Sequence, residues 1–171
     1  MKKIIALTWV ALLFTTFTVS AQQDKSKRPS PPAVVKETLN SGAVVTIDYS
    51  QPSVKGRTIG KEIAPFGKVW RTGANEATIF EVSKNVKLEG KALAAGKYSL
   101  HSIPGEKEWT LIFNKKWQKP GTEYTEAEDA LRVTVKPGKA AAFSEKMTFT
   151  IDKGGKVALI WGDILVPFMV K

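Results

Sequence analysis

Apolar side chains recur at every second position through most of this chain, and no long stretch repeats at the 3.6-residue period of a helix. Val45, Ile47 and Tyr49 alternate with Val44, Thr46 and Asp48, and Thr78, Phe80 and Val82 with Ile79 and Glu81. The same alternation runs through Trp109, Leu111 and Phe113, through Leu131, Val133 and Val135, and through Met147, Phe149 and Ile151. Val157, Leu159 and Trp161 continue it, and Ile164, Val166, Phe168 and Val170 close the chain. Successive side chains of a strand point to opposite faces, so such segments bury one face and wet the other. Asn40-Ser41-Gly42, Glu89-Gly90, Ala95-Gly96, Pro104-Gly105, Pro137-Gly138 and Lys153-Gly154-Gly155 supply turns between them. Many short strands at this spacing define an all-β, single-domain antiparallel β-sandwich, jelly-roll-like, over residues 33–171. The one helical signal is Thr125-Glu126-Ala127-Glu128, a capping box that predicts at most one short helical turn. A parallel α/β fold is excluded, and no internal repeat is present.

The N-terminus follows other rules. Lys2 and Lys3 precede an almost uncharged run from Ile4 to Val19, which ends in Val19-Ser20-Ala21. A positive start, a short apolar stretch and a small-residue end make an export signal with cleavage after Ala21. The run falls short of the ~20 apolar residues a spanning helix needs, so no transmembrane helix is expected after cleavage. Gln22–Pro32, with Lys25, Lys27, Arg28 and Pro29-Ser30-Pro31-Pro32, reads as an extended Pro-rich tether. The remaining chain from residue 22 is long enough for one domain that buries about 68–70% of its unfolded surface. It contains no Cys, so packing rather than disulfides must hold an exported domain together, and thiol chemistry is excluded.

The whole chain carries a formal charge of +10. Its Lys residues are spread along the strands rather than bunched, and an exported protein does not meet nucleic acid. The excess reads as solubility plus attraction to anionic envelope surfaces.

Chemistry concentrates between two apolar runs, in Trp70-Arg71-Thr72-Gly73-Ala74-Asn75-Glu76. A stacking ring, a guanidinium, an amide and a carboxylate stand within seven positions. Arg57, in Pro52-Ser53-Val54-Lys55-Gly56-Arg57, follows another strand. Should both loops share one end of the sandwich, Arg57, Trp70, Arg71, Asn75 and Glu76 form a site for a polar ligand. The guanidinium fork matches a carboxylate, a phosphate or vicinal hydroxyls, and Trp70 stacks on a sugar face. The structural alternative pairs Arg71 with Glu76 or Asp48 and only pins the loop, with Asn75 as a turn residue tolerant of positive φ.

Other candidates are thinner. His101 is the sole histidine; Ser99 shares its face of a strand and Ser102 points away, and no nucleophile elbow is present. A lone strand histidine is most often simply hydrogen-bonded or exposed. One His and no Cys leave zinc without ligands, and no Ca²⁺ loop exists, so no metal or cofactor is expected. Glu76 with Asp48 or Glu81 is a carboxylate pair for glycan hydrolysis if their separation suits. Trp109 and Trp161 lie on the apolar phase of their strands and read as core. Trp117, in a polar loop, is either a contact point or a lid.

Ser30-Pro31-Pro32, Ile47-Asp48-Tyr49-Ser50, Pro52 to Arg57, Val69 to Ala77, Ala95-Gly96-Lys97-Tyr98-Ser99-Leu100, Ile103-Pro104-Gly105, Glu108-Trp109-Thr110, Asp129 to Val133 and Trp161 recur in one order in a known family. The chain resembles the exported bacterial proteins, chiefly of Bacteroidetes, grouped as domain of unknown function 2911. The resemblance spans about residues 29–171 and implies secretion, an all-β domain and no established activity. Position 101, His here, is more often aromatic or small and polar in that family, so a role for His101 would not be family-wide.

Three functional expectations follow. The first is a periplasmic or secreted module binding a glycan or anionic envelope component, the second a carboxylate-dependent glycan hydrolase, and the third an assembly module carrying an exposed apolar patch.

Overall fold

The computed structural model of the protein describes residues 24–118 and 120–171. The export signal and cleavage point expected from the sequence lie outside the described residues. Among the described residues there are ten strands and two short 3-10 turns: β1 (Pro32–Thr38), β2 (Val44–Ser50), β3 (Ile79–Val82), β4 (Val86–Leu88), β5 (Lys91–Leu93), β6 (Gly96–Ile103), β7 (Trp109–Asn114), β8 (Asp129–Val135), β9 (Gly138–Ile151) and β10 (Lys156–Met169). The 3-10 turns are Lys25–Lys27 and Glu126–Glu128.

Six strands form one antiparallel sheet in the order β1-β2-β3-β6-β7-β8. The order is that of a meander; the one jump, from β3 to β6, makes room for the β4–β5 hairpin. β9 and β10 form a second sheet of two long strands. Two layers are the way for sheets with one apolar face each to bury it.

Register decides what each face carries. Ile47, Phe80 and Tyr98 stand in one row, and Leu100, Phe113 and Leu131 in another. These rows meet Met147, Phe149, Leu159, Trp161, Val166 and Phe168 of the β9–β10 hairpin in one core. Phe168 lies 6.3 Å from Phe80 and 6.4 Å from Phe113, ring centre to ring centre. Tyr49 meets Phe149 edge-on at 4.9 Å, and its hydroxyl accepts the Phe149 N–H at 3.0 Å. Each large ring so buried is worth about 1.5–3 kcal/mol, which lets packing stabilise a chain without disulfides.

The outer face of the same sheet carries a second set. Asp48, Ile79, Ser99, Asn114 and Asp129 form one row, and His101, Ile112 and Arg132 the next. An outward-facing row would ordinarily be wet. Here Ser99, His101, Ile112 and Asn114 are all buried, because the segment between β7 and β8 folds back over them.

Several sequence expectations change in detail. The segment read as a tether is laid against the domain: Gln51 N–H donates to the Pro31 carbonyl at 2.9 Å, and β1 begins at Pro32. The strands expected at 157–161 and 164–170 are one strand, bent by register shifts on either side of Gly162, whose φ is +58°. The helical turn at Glu126–Glu128 forms, but the Thr125 side chain makes no capping hydrogen bond.

Candidate functional site

The segment before β3 is not a free loop. Trp70 and Ser102 form an isolated antiparallel bridge, with Trp70 N–H donating to Ser102 O at 2.7 Å and Ser102 N–H to Trp70 O at 2.8 Å. Ser102 stands opposite Leu111, a core residue, so the bridge turns Trp70 inward. Its ring stacks on Trp161 at 5.3 Å and meets Trp109 edge-on at 6.5 Å. Trp109 and Trp161 are buried, as their apolar phase predicts. Arg71, one residue on, faces the other way. Directly after it the chain turns at Thr72, a buried β-branched residue with φ +49°. Such a conformation costs about 1–3 kcal/mol and persists only when its surroundings impose it. Thr72 Oγ1 donates to Ser102 Oγ at 2.9 Å, and Thr78 Oγ1 donates to the Thr72 carbonyl at 2.8 Å.

Outward, Arg71 reaches a cleft of about 410 Å³ lined by Val69, Trp70, Arg71, His101, Gly121, Thr122 and Tyr124. Gly121 is there because nothing larger fits. A Cβ at that position would sit 2.8 Å from Ala77 N and 3.0 Å from Arg71 Cδ. The close approach lets the 120–124 segment rest on the arginine stem. Tyr124 packs against the His101 ring at 5.1 Å.

Tyr124 is itself held. Its hydroxyl donates to Asp129 Oδ2 at 2.8 Å and accepts from Arg132 Nη2 at 2.5 Å. Arg132 Nε donates to the same Asp129 oxygen at 2.6 Å, and Asn114 Nδ2 donates to Asp129 Oδ1 at 2.8 Å. Arg132 also pairs with Glu126 at 3.0 Å. Asp129 and Arg132 are an odd number of positions apart and would normally face opposite sides of a strand. Asn114 pairs with Asp129 but Phe113 with Leu131, so Ala130 is an extra residue. This bulge shifts the phase and brings the two side chains together. Burial and the bond to Asp129 push the Tyr124 hydroxyl up to about 12.

Among the described residues, five buried polar side-chain atoms have no hydrogen-bond partner. Two are the indole nitrogens of Trp109 and Trp161, inside the tryptophan cluster. The other three are Arg71 Nε and both ring nitrogens of His101, and all three belong to this cleft. His101 is 2% exposed. Burial lowers its pKa, so the ring is neutral at pH 7; backbone groups of Gly121 and Ser99 and the Asp129 charge act the other way. Neither backbone group is placed to satisfy a ring nitrogen. A buried polar atom without a partner costs about 1–3 kcal/mol, and three in one cleft point to a ligand that supplies what the fold does not. Among the described residues no carboxylate lies within ion-pairing distance of Arg71, so the structural pairing with Glu76 or Asp48 is not made.

The five residues singled out in the sequence do not line one cleft. Arg57 donates from Nε to Val54 O at 3.1 Å and from Nη2 to Ser53 O at 2.7 Å, closing its own turn. Asn75 has φ +56° and donates from Nδ2 to Ser30 O at 2.8 Å. Glu76 accepts from Arg28 Nη1 at 2.8 and 3.0 Å and pairs with Lys25 at 3.2 Å. Arg28 and Lys25 hold its pKa down to about 2. Asn75 and Glu76 thus fasten the segment before β1, and only Trp70 and Arg71 of the five reach the cleft with His101.

A second cleft, about 300 Å³, is lined by Asp48, Tyr49, Glu76, Ile79 and Trp117 among others. Trp117 is half-buried there, with Lys97 Nζ 5.4 Å from its ring centre. Glu81 pairs instead with Lys97 at 3.5 Å. Among the described residues no group of three metal-ligating side chains occurs. Ser99, on the same face of β6, donates from Oγ to Lys116 O at 3.5 Å and not to His101.

Fold and site together define an antiparallel β-sandwich with a polar cleft roofed by a loop on the outer face of its larger sheet. The chain belongs to the family described as protein of unknown function (DUF2911), whose model matches residues 30–170. Comparison with curated proteins and with solved structures returns no match. Among the described residues no helix is long and apolar enough to cross a membrane.

Proposed function

We propose that this domain is a ligand-binding module of an exported, periplasmic or secreted protein, taking a polar ligand such as a glycan or an anionic cell-envelope component. The site is the cleft of Trp70, Arg71, His101 and Tyr124. One observation carries the reading: three buried polar atoms without partners, Arg71 Nε and both His101 nitrogens, belong to two residues that line one cleft. The volume of about 410 Å³ falls within the range of roughly 300–1,000 Å³ typical of small-molecule sites. Among the described residues no paired nucleophile and base stands there, so the chemistry on offer is recognition rather than turnover.

The test is a thermal-shift screen of the domain against neutral sugars, sugar acids and inorganic anions, repeated on Arg71→Ala. A ligand that raises Tm in the parent and not in the variant supports the site. A ligand that stabilises both equally lies elsewhere.

A carboxylate-dependent glycan hydrolase is the second reading. It draws on Asp48 and Glu76 lining the same cleft beside Trp117. With a pKa held at about 2, Glu76 is no general acid near neutral pH, so in this reading it serves as the base or nucleophile. Envelope-glycan turnover that stops in Glu76→Gln would favour this reading over binding alone. The assembly reading needs one continuous apolar patch. The large apolar side chains most exposed among the described residues, Val34, Val69 and Phe143, lie on three separate segments.

A further inference from the structure

We infer that the Arg71–His101 cleft selects a ligand bearing a single carboxylate with a hydroxyl beside it, the pattern of a sugar acid. The inference rests on the binding reading above and narrows its ligand class.

Charge sets the first limit. Among the described residues, Arg71 is the one lining residue that carries a full charge, since His101 is neutral and the rest are apolar or uncharged. The nearby Asp129 is already engaged by Asn114, Tyr124 and Arg132. One uncompensated guanidinium in a partly desolvated cleft balances one negative charge. A carboxylate meets that condition, whereas a phosphate monoester, mostly dianionic at pH 7, leaves a charge over.

Donor count sets the second limit. Arg71 Nε–H is buried and unpaired, and the fork of Nε and Nη hydrogens matches the two oxygens of a carboxylate. A neutral imidazole has one N–H donor and one bare nitrogen acceptor. Both His101 nitrogens are buried without partners, so the ligand must offer an acceptor and also a donor. A carboxylate oxygen accepts and a neighbouring hydroxyl donates. A bare carboxylate such as acetate leaves the acceptor nitrogen unmet, and a neutral sugar leaves the guanidinium uncompensated.

Calorimetric titration at pH 7 tests this, with sodium D-glucuronate, D-glucose, sodium acetate and inorganic phosphate as probes against the parent domain, Arg71→Gln and Arg71→Lys. The expected result is saturable binding of glucuronate, weaker binding of acetate and none of glucose. In Arg71→Gln the glucuronate affinity falls about tenfold or more, and in Arg71→Lys it is partly kept, since the charge remains without the fork. The Tm of each variant shows that the fold is intact, and the lysine variant keeps the test decisive should the glutamine variant be unstable. Glucose binding as well as glucuronate, in parent and Arg71→Gln alike, overturns the carboxylate class but leaves the cleft a binding site. Phosphate binding in preference to glucuronate overturns the inference and leaves the cleft a general anion site. Should none of the four bind, the inference falls; a response to other ligands in the thermal-shift screen would still sustain the broader reading.

Discussion

The Trp70 ring lies 5.3 Å from that of Trp161, within 13° of parallel, and this contact separates Trp70 from its neighbour Arg71 in role. Trp70 belongs to the packing of the sandwich and Arg71 to its outer cleft. Removing the Trp70 ring should therefore destabilise the protein. Trp70→Ala is expected to cost about 3 kcal/mol in denaturant unfolding, whereas Arg71→Ala should stay within about 1 kcal/mol of the parent. Adjacent residues on an extended segment face opposite ways, so one substitution reads the core and the other the site.

Asp129 ties the roof of the cleft to the sheet through Asn114, Tyr124 and Arg132. Its side chain is 11% exposed. Asp129→Ala leaves Arg132 and the Asn114 amide short of an acceptor and should cost about 2–3 kcal/mol. Hydrogen exchange should accelerate in residues 115–128 before it does in β6 and β7.

All three tyrosines have raised pKa values. Burial comes first for Tyr49, Tyr98 and Tyr124, and Tyr124 reaches about 12. A group whose folded pKa exceeds its unfolded value near 10 holds its proton more tightly when folded. Stability is thus full below pH 10 and lost as the pH climbs toward 12. Absorbance at 295 nm at pH 10 should show less tyrosinate while the protein is folded than after unfolding in denaturant, where about half of each tyrosine is ionised.

Glu76 moves in the opposite sense. Its folded pKa of about 2 lies below its ordinary value of 4.5, so its contribution is present above pH 4.5 and disappears as the pH falls through 2. The side chain is 54% exposed, and solvent screening limits the pair with Arg28 to at most about 1 kcal/mol. Glu76→Gln should therefore barely change Tm yet speed proteolysis within residues 24–31.

The sheet framework was legible because its signal is periodic. Tyr49, Phe80, Phe113 and Trp161 fall inward as their alternation dictates. Residues 138–146 carry no such alternation and are largely exposed, so the first half of β9 left no trace in the pattern. Arg71 and Trp70 were legible as unusual residues. Their division was not, because it depends on the bridge to Ser102, some thirty positions away. Arg57, Asn75 and Glu76 have the same chemistry as site residues, but each meets a partner that sequence spacing cannot reveal: its own turn for Arg57, Ser30 for Asn75, and Arg28 with Lys25 for Glu76. His101 read as an ordinary strand histidine; it matters because a loop covers an outward-facing row. Tyr124 was hidden likewise, since the bulge at Ala130 that joins Asp129 to Arg132 is a matter of register.

His101 is the sole histidine of the chain, so in untagged protein labelled with ¹⁵N its two ring nitrogens give one unambiguous pair of signals. Titrating sodium D-glucuronate while following that pair measures the cleft directly. The account predicts a saturable shift of both nitrogens, with the same midpoint as the calorimetric titration, that is lost in Arg71→Gln. Binding seen by calorimetry while the His101 signals stay fixed would contradict it.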